Sequence, residues 1–137
     1  MSEFEIKRSS WLRGSGTLED NIGQDGSYLL RPSDGMKCCL GFYLVACGVP
    51  EGEIEGICTP MTVESTIFPA RAEWLITAGE AEKTENSPDC VELMQTNDQV
   101  GFFCGPAREV QVSDESERER RISRMFAAHG ETVRFVD

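Results

Sequence analysis

The clearest pattern in the chain is a run of apolar residues at helical spacing between positions 36 and 47. Its members are Met36, Cys39, Leu40, Tyr43, Leu44 and Cys47. Ser33 or Asp34 is a candidate cap before the run, and Gly48 stands where a left-handed residue commonly follows a helix. We therefore predict a buried central helix. Gly41 in its interior indicates the close approach of another backbone.

Two more helices are predicted in the second half of the chain. Ser87 and Pro88 combine a cap with a proline at the first helical position, and Asp89 places an acid in the first turn. We expect this helix to end near residues 97–98 and to bury Val91, Leu93 and Met94.

The last helix opens at Ser113 and is amphipathic, since its apolar stripe repeats at i, i+3, i+4 and i+7. The stripe is Ile122, Met125, Phe126 and His129. Gly130 is expected to end this helix.

Short strands are predicted at both ends of the chain. Residues 4–7 alternate apolar with charged side chains, and residues 132–136 do so with Val133 and Phe135 facing inward. Pairing these two strands would tie down both termini. Shorter strand pieces are predicted at 66–68, 74–76, 100–104 and 109–112, the last two as a hairpin, with polar loops at 14–27 and 77–87. The predicted fold class is α+β, as one domain over residues 1–137.

The net charge of the chain narrows the range of partners that it can bind. The chain has 24 acidic and 13 basic residues, for a net charge of −11. Such a surface repels nucleic-acid phosphates and attracts basic partners, so we expect no direct DNA binding. The acidity is concentrated in the middle of the chain. The candidate partner-binding residues there are Glu73, Glu80, Glu82, Glu85, Asp89 and Glu92.

The cysteines are predicted to be free thiols. They are Cys38, Cys39, Cys47, Cys58, Cys90 and Cys104. The chain opens with charged residues rather than a signal peptide, and no apolar run approaches the roughly 20 residues that span a bilayer. We therefore expect a cytoplasmic protein, off the membrane, in which reduced cysteines fill the core.

No motif for catalysis or metal binding is present. His129, the one histidine, lies on the apolar stripe of the last helix, where a packed histidine is the simpler interpretation. The cysteine spacings do not match a zinc site. The basic run Arg118, Arg120, Arg121 and Arg124 is interpreted as a solvated helix face paired with Glu117. We therefore predict a non-enzymatic protein without a cofactor.

A second group of residues could bind an anionic ligand. Cations near glycine-rich turns suit an anion, and flat aromatic rings suit a base. The candidate residues are Trp11, Arg13, Tyr28, Arg31 and Lys37. The alternative is that these side chains only pair with the surplus acids.

Several motifs together carry a resemblance to a known family. They are WLRG at 11–14, LLRPSDGMKCCLGF at 29–42 and ACGVP at 46–50, and, toward the end of the chain, Leu93, Asn97, Asp98, Met125, Phe126, Gly130 and residues 133–136. The chain resembles a family of small uncharacterised proteins encoded by bacteriophages and prophages. The resemblance implies an accessory protein that binds a host protein.

Two functional hypotheses follow. In the first, the protein binds and inhibits a host defence-related protein, such as a nucleic-acid-handling complex, through its acidic middle. In the second, it sequesters a small molecule such as a nucleotide signal. The oligomeric state is left open.

Overall fold

Strands open and close the described chain, and helices fill the interval between them. The computed structural model describes residues 2–12, 28–78, 84–98 and 115–137. The elements are β1 (Ser2–Lys7), α1 (Cys39–Ala46), α2 (Glu51–Ile54), β2 (Ile76–Ala78), β3 (Thr84–Asn86), α3 (Pro88–Asp98), α4 (Glu115–Ala127) and β4 (Glu131–Val136). Short 3-10 helices cover Arg8–Ser10, Pro60–Thr62, Ser65–Ile67 and Ala70–Leu75. The predicted α+β class is confirmed.

The predicted pairing of the first and last strands is also confirmed. β1 and β4 run parallel, with Phe4 opposite Val133 and Ile6 opposite Phe135. Phe4 and Ile6 are buried, whereas the intervening Glu5 is exposed. The alternation therefore places one face of this two-stranded sheet against the core.

The central helix is buried as predicted, but it begins later than expected. Cys39, Leu40, Tyr43 and Leu44 of α1 are all fully buried. The backbone of Lys37 instead bonds to the segment around Trp11, and this bridge keeps residues 36–37 extended. Asp34 does not cap the helix, since its carboxylate accepts from the backbone N–H of Met36 and pairs with Arg31.

The two glycines of the α1 region behave as the sequence indicates. A Cβ on Gly41 would lie 1.9 Å from the carbonyl oxygen of Leu29, so only glycine lets these backbones meet. Gly48 has φ of 107° after the helix end, in the left-handed region.

The start of α3 is also as predicted. The Ser87 hydroxyl accepts a 3.1 Å hydrogen bond from the backbone N–H of Cys90, and Pro88 is the first helical residue. The buried stripe is Cys90, Leu93 and Asn97, at helical spacing. The prediction that Val91 is buried is wrong: it lies off this stripe and is 40% exposed.

The α4 helix is amphipathic as predicted, but the predicted placements of Arg118 and His129 need correction. Ile122 and Phe126 are buried as predicted, but Arg118 is fully buried rather than part of a solvated face. Arg118 precedes Ile122 by four residues, which places it on the same stripe. His129 lies in the turn after the helix, beside Gly130 with φ of 78°. The predicted start at Ser113 lies outside the described residues.

The middle of the chain differs most from the predicted pattern. Residues 65–67 and 70–75 form 3-10 helices where strands were predicted. Pro60 and Pro69 flank the first of these segments, and proline cannot donate a ladder hydrogen bond. Strands occur instead at both ends of the predicted 77–87 loop, because β2 and β3 pair antiparallel, Thr77 opposite Glu85. The 14–27 loop and the 100–112 hairpin lie outside the described residues.

An aromatic cluster occupies the centre of the core. Phe4, Tyr43, Trp74 and Phe126 contact one another with ring centroids 4.9–5.7 Å apart. Edge-to-face and tilted contacts of this kind add to simple burial. They join β1, α1, the 3-10 helix Ala70–Leu75 and α4. Within the described residues, no helix combines the length and the apolar character needed to cross a membrane.

Candidate functional site: an acidic face

Four of the predicted partner-binding acids lie on elements that are neighbours in the fold. Glu73 belongs to the 3-10 helix Ala70–Leu75, Glu85 to β3, and Asp89 and Glu92 to the first turns of α3. We call these four residues the acidic face. Glu80 and Glu82 lie outside the described residues.

Backbone hydrogen bonds hold these elements together. β2 follows the 3-10 helix directly and pairs with β3. The N–H of Ser87 donates to the carbonyl of Leu75 at 2.9 Å, which fixes the start of α3 to the end of the 3-10 helix. The acidic face is therefore carried on a connected scaffold of regular elements.

Most cations of the described residues form ion pairs with acids that lie outside the acidic face. These ion pairs are Arg8–Glu119, Arg31–Asp34, Lys37–Glu51, Arg71–Glu131, Arg120–Glu117, Arg121–Glu117 and Arg134–Glu3. Among the described residues, Glu73 and Glu85 take part in no ion pair, and both are exposed. Residues 72–98 contain seven acids and a single cation, Lys83. This stretch of sequence is therefore strongly acidic, and four of its seven acids form the acidic face.

Asp89 has a partner within the fold. Its carboxylate oxygen Oδ2 lies 2.7 Å from Nε2 of His129. The imidazole in turn lies flat on the indole of Trp74, with ring centroids 3.9 Å apart and planes 8° from parallel. The stack holds the imidazole in position at the edge of the acidic face.

A shallow groove adjoins Glu73. It has a volume of about 350 Å³ and is lined by Glu73, Ile76, Thr77, Ala78 and Thr84. The described residues of its walls combine one carboxylate and two hydroxyls with the apolar side chains of Ile76 and Ala78. A groove of this composition suits the methylene stem and charged head of a lysine or arginine.

A hydrogen-bonded network lies beneath the acidic face. Trp74 donates its indole N–H to the Tyr43 hydroxyl at 2.9 Å, and that hydroxyl donates to the Glu131 carboxylate at 2.8 Å. Arg71 donates to both oxygens of Glu131, at 2.8 and 2.9 Å. The network connects the 3-10 helix with α1 and β4, so it positions Trp74 from below.

Three pKa values in the network are displaced. Burial raises the pKa of Tyr43 well above its ordinary value. Burial also opposes ionisation of Glu131, but the hydrogen bonds from Arg71 and Tyr43 outweigh it and hold the pKa of this carboxyl below its usual range. Burial raises the pKa of the Cys47 thiol beside Arg71. These displacements favour the neutral forms of Tyr43 and Cys47 and the charged form of Glu131.

The predicted ligand-binding residues are engaged within the fold. Trp11 is 2% exposed and donates its indole N–H to Asn97 at 2.7 Å, so it is a core residue rather than a surface platform for a base. Arg31 pairs with Asp34. Lys37 pairs with Glu51 at 3.3 Å and lies 5.0 Å from the ring centroid of Phe42.

The two remaining members of that set are Tyr28 and Arg13. Tyr28 is half-buried, and its backbone carbonyl accepts from the N–H of Cys38. Arg13 lies outside the described residues. The structure brings Trp11 and Lys37 together as a backbone bridge, with the charge of Lys37 directed to Glu51.

Three polar residues that organise this region were not predicted from the sequence. Asn97 and Arg71 have no local pattern that marks them, since each acts on residues distant in sequence. The burial of Glu131 could have been predicted, because it lies two residues before Val133 on the inward face of β4.

In the described part of the chain, no three histidine, cysteine, aspartate or glutamate side chains are grouped so that they could bind a metal ion.

Comparison with known proteins gave no match: no protein-family model, curated protein or solved structure resembles the chain significantly. The local geometry is therefore the basis for a functional proposal.

Proposed function

We propose that the protein is a non-enzymatic phage accessory protein that binds and inhibits a defence-related protein in the cytoplasm of the host cell. The acidic face is its contact surface, and the partner presents basic side chains there. The observation that carries this proposal is the distribution of ion pairs: Arg8, Arg31, Lys37, Arg71 and Arg134 each pair with a carboxylate outside the acidic face. The provenance and the host target rest on the sequence resemblance.

A local surplus of charge of one sign favours this kind of binding for a physical reason. Complementary potentials accelerate encounter and exclude partners of the wrong sign, although the gain in affinity from each rim charge is small. A nucleic-acid-handling protein has a basic groove, which an acidic surface can occupy in place of phosphates. Such an interface weakens as salt is added.

The test uses capture from bacterial lysate with the full chain as bait. The double variant Glu73→Gln/Glu85→Gln removes two charges from the acidic face. Its control is Glu53→Gln/Glu64→Gln, because Glu53 and Glu64 are also exposed and the net charge changes equally. The partner is a protein retained by the wild type and the control but lost by the acidic-face variant, and its activity is then assayed with added wild-type chain.

We expect the acidic-face variant to bind the purified partner about three- to tenfold more weakly than the control. Added wild-type chain should reduce the activity of the partner. The proposal is wrong if both double variants bind equally, or if binding is unchanged in about 1 M salt, where charges are screened within roughly 3 Å.

A further inference from the structure

The contact between Asp89 and His129 suggests how the acidic face is regulated. We propose that His129 is an internal competitor for Asp89, so that the acidic face binds basic partners more weakly when the imidazole is charged. This inference rests on the proposed function, since it concerns the same surface. The two proposals can fail separately, as set out below.

The geometry resembles that of a bound partner side chain. Nε2 of His129 lies 2.7 Å from Oδ2 of Asp89, which is the distance of a charge-assisted hydrogen bond from a cation. The Asp89 side chain is nevertheless 54% exposed, so an external cation can also reach it. Internal and external cations therefore compete for one carboxylate.

Trp74 makes the competitor effective. The imidazole is stacked on the indole at 3.9 Å, and the indole N–H is fixed by the Tyr43 hydroxyl. A positioned ring loses little conformational entropy when it binds, in contrast to the flexible side chain of a partner lysine. A charged imidazole also gains from the face of the indole.

The charge of the His129 imidazole determines how strongly it competes for Asp89. Histidine is the side chain that ordinarily changes charge between pH 5 and 8. Among the described residues, the His129 ring contacts the carboxylate of Asp89 in α3 and the uncharged indole of Trp74 in the 3-10 helix Ala70–Leu75. Protonation therefore places a positive charge directly beside one of the four carboxylates of the acidic face.

The test measures binding of oligolysine to the full chain at pH values of about 8 and about 5.5. His129→Phe keeps an aromatic ring for the stack but removes the nitrogen, and His129→Gln serves as a second variant. At the acidic pH, we expect both variants to bind oligolysine about two- to fivefold more tightly than the wild type, which is the size of an exposed ion pair. At the basic pH, the three proteins should agree.

A double-mutant cycle assigns the effect to Asp89. In the Asp89→Asn background, His129→Phe should change the affinity for oligolysine at neither pH. Equal binding by wild type and both His129 variants at the acidic pH would overturn the proposal that His129 competes for Asp89. The proposal would also be wrong if His129→Phe still changed the affinity for oligolysine in the Asp89→Asn background. If Glu73→Gln/Glu85→Gln leaves oligolysine binding unchanged, the acidic face itself fails as the contact surface. Thermal unfolding of each variant verifies that it is folded.

Discussion

The side-chain oxygen of Asn97 lies 2.7 Å from the indole nitrogen of Trp11, across 86 positions of sequence. The same oxygen accepts from the backbone N–H of Cys39 at 2.9 Å, and the Asn97 amide nitrogen donates to the carbonyl of Leu12 at 3.0 Å. One buried side chain therefore joins the end of α3 to the start of α1 and to the segment after β1.

Replacing Asn97 should be costly because three groups would lose their partner in the core. We expect Asn97→Ala to lower the free energy of unfolding by about 2–4 kcal/mol, since each buried unsatisfied group costs about 1–3 kcal/mol. Gln95→Ala on the same helix is the control and should change it by less than about 0.5 kcal/mol. Urea denaturation measures both. Equal effects of the two substitutions would show that the Asn97 contacts are not important for stability.

Gly41 offers a second test, on backbone packing. A methyl group there would overlap the Leu29 carbonyl, so Gly41→Ala should destabilise the fold by about 3 kcal/mol or more. Gly52 in α2 has open space around its Cβ position. We expect Gly52→Ala to be neutral or to stabilise by up to about 1 kcal/mol, through the better helix propensity of alanine. A stable Gly41→Ala variant would contradict the close approach of the two backbones.

The lowered pKa of Glu131 predicts how the free energy of unfolding depends on pH. Its pKa is lower in the folded protein than in the unfolded chain, so the unfolded state binds more protons as the solution becomes acidic. The stability from its contacts with Arg71 and Tyr43 is fully present above the unfolded value of about 4.3 and is lost as pH falls through the folded value. Between pH values of about 5 and 3, the unfolding free energy of the wild type should therefore fall more steeply than that of Glu131→Gln.

The same variant should also lower stability at neutral pH, by about 1–3 kcal/mol, because Arg71 loses a buried charged partner. Glu5→Gln is the matched control, since Glu5 is exposed and pairs with Arg134 only at 3.6 Å. It should change stability by less than about 0.5 kcal/mol. Parallel pH profiles for wild type and Glu131→Gln would exclude the assigned role of this carboxyl.

The cysteines should differ sharply in reactivity. Burial raises the pKa of the Cys90 thiol to about 12, whereas Cys58 is exposed. Because the thiolate is the nucleophile, iodoacetamide at pH of about 8 should alkylate Cys58 in the native protein and leave Cys90 unmodified until the chain unfolds. Peptide mass spectrometry after timed labelling measures both rates. Comparable rates at the two positions would contradict the buried placement of Cys90.

The parts of the fold that could be predicted are those fixed by neighbouring residues. The start of α3 follows from Ser87 and Pro88, and the backbone contact at Gly41 follows from its place inside an apolar helix. The alternation in β1 and β4 identified both strands. In each case, the signal and the structure it specifies lie within a few residues of one another.

The parts that could not be predicted depend on contacts between distant segments. Trp11 was interpreted as a ligand platform because its partner, Asn97, is far away in sequence. Arg118 was interpreted as solvated from its charge, although its four-residue spacing to Ile122 put it on the buried stripe. For the acidic face, charge composition indicated the region, but the pairing of Asp89 with His129 needed the structure.

The parallel pairing of β1 with β4 has a consequence for synthesis on the ribosome. β1 cannot pair with β4 until residues 131–136 have left the exit tunnel, so β1 remains without this partner while the intervening residues are translated. Contacts of such long sequence separation slow folding and leave an apolar segment open to aggregation in the meantime. Holding factors that shield nascent chains should therefore protect β1 during this interval.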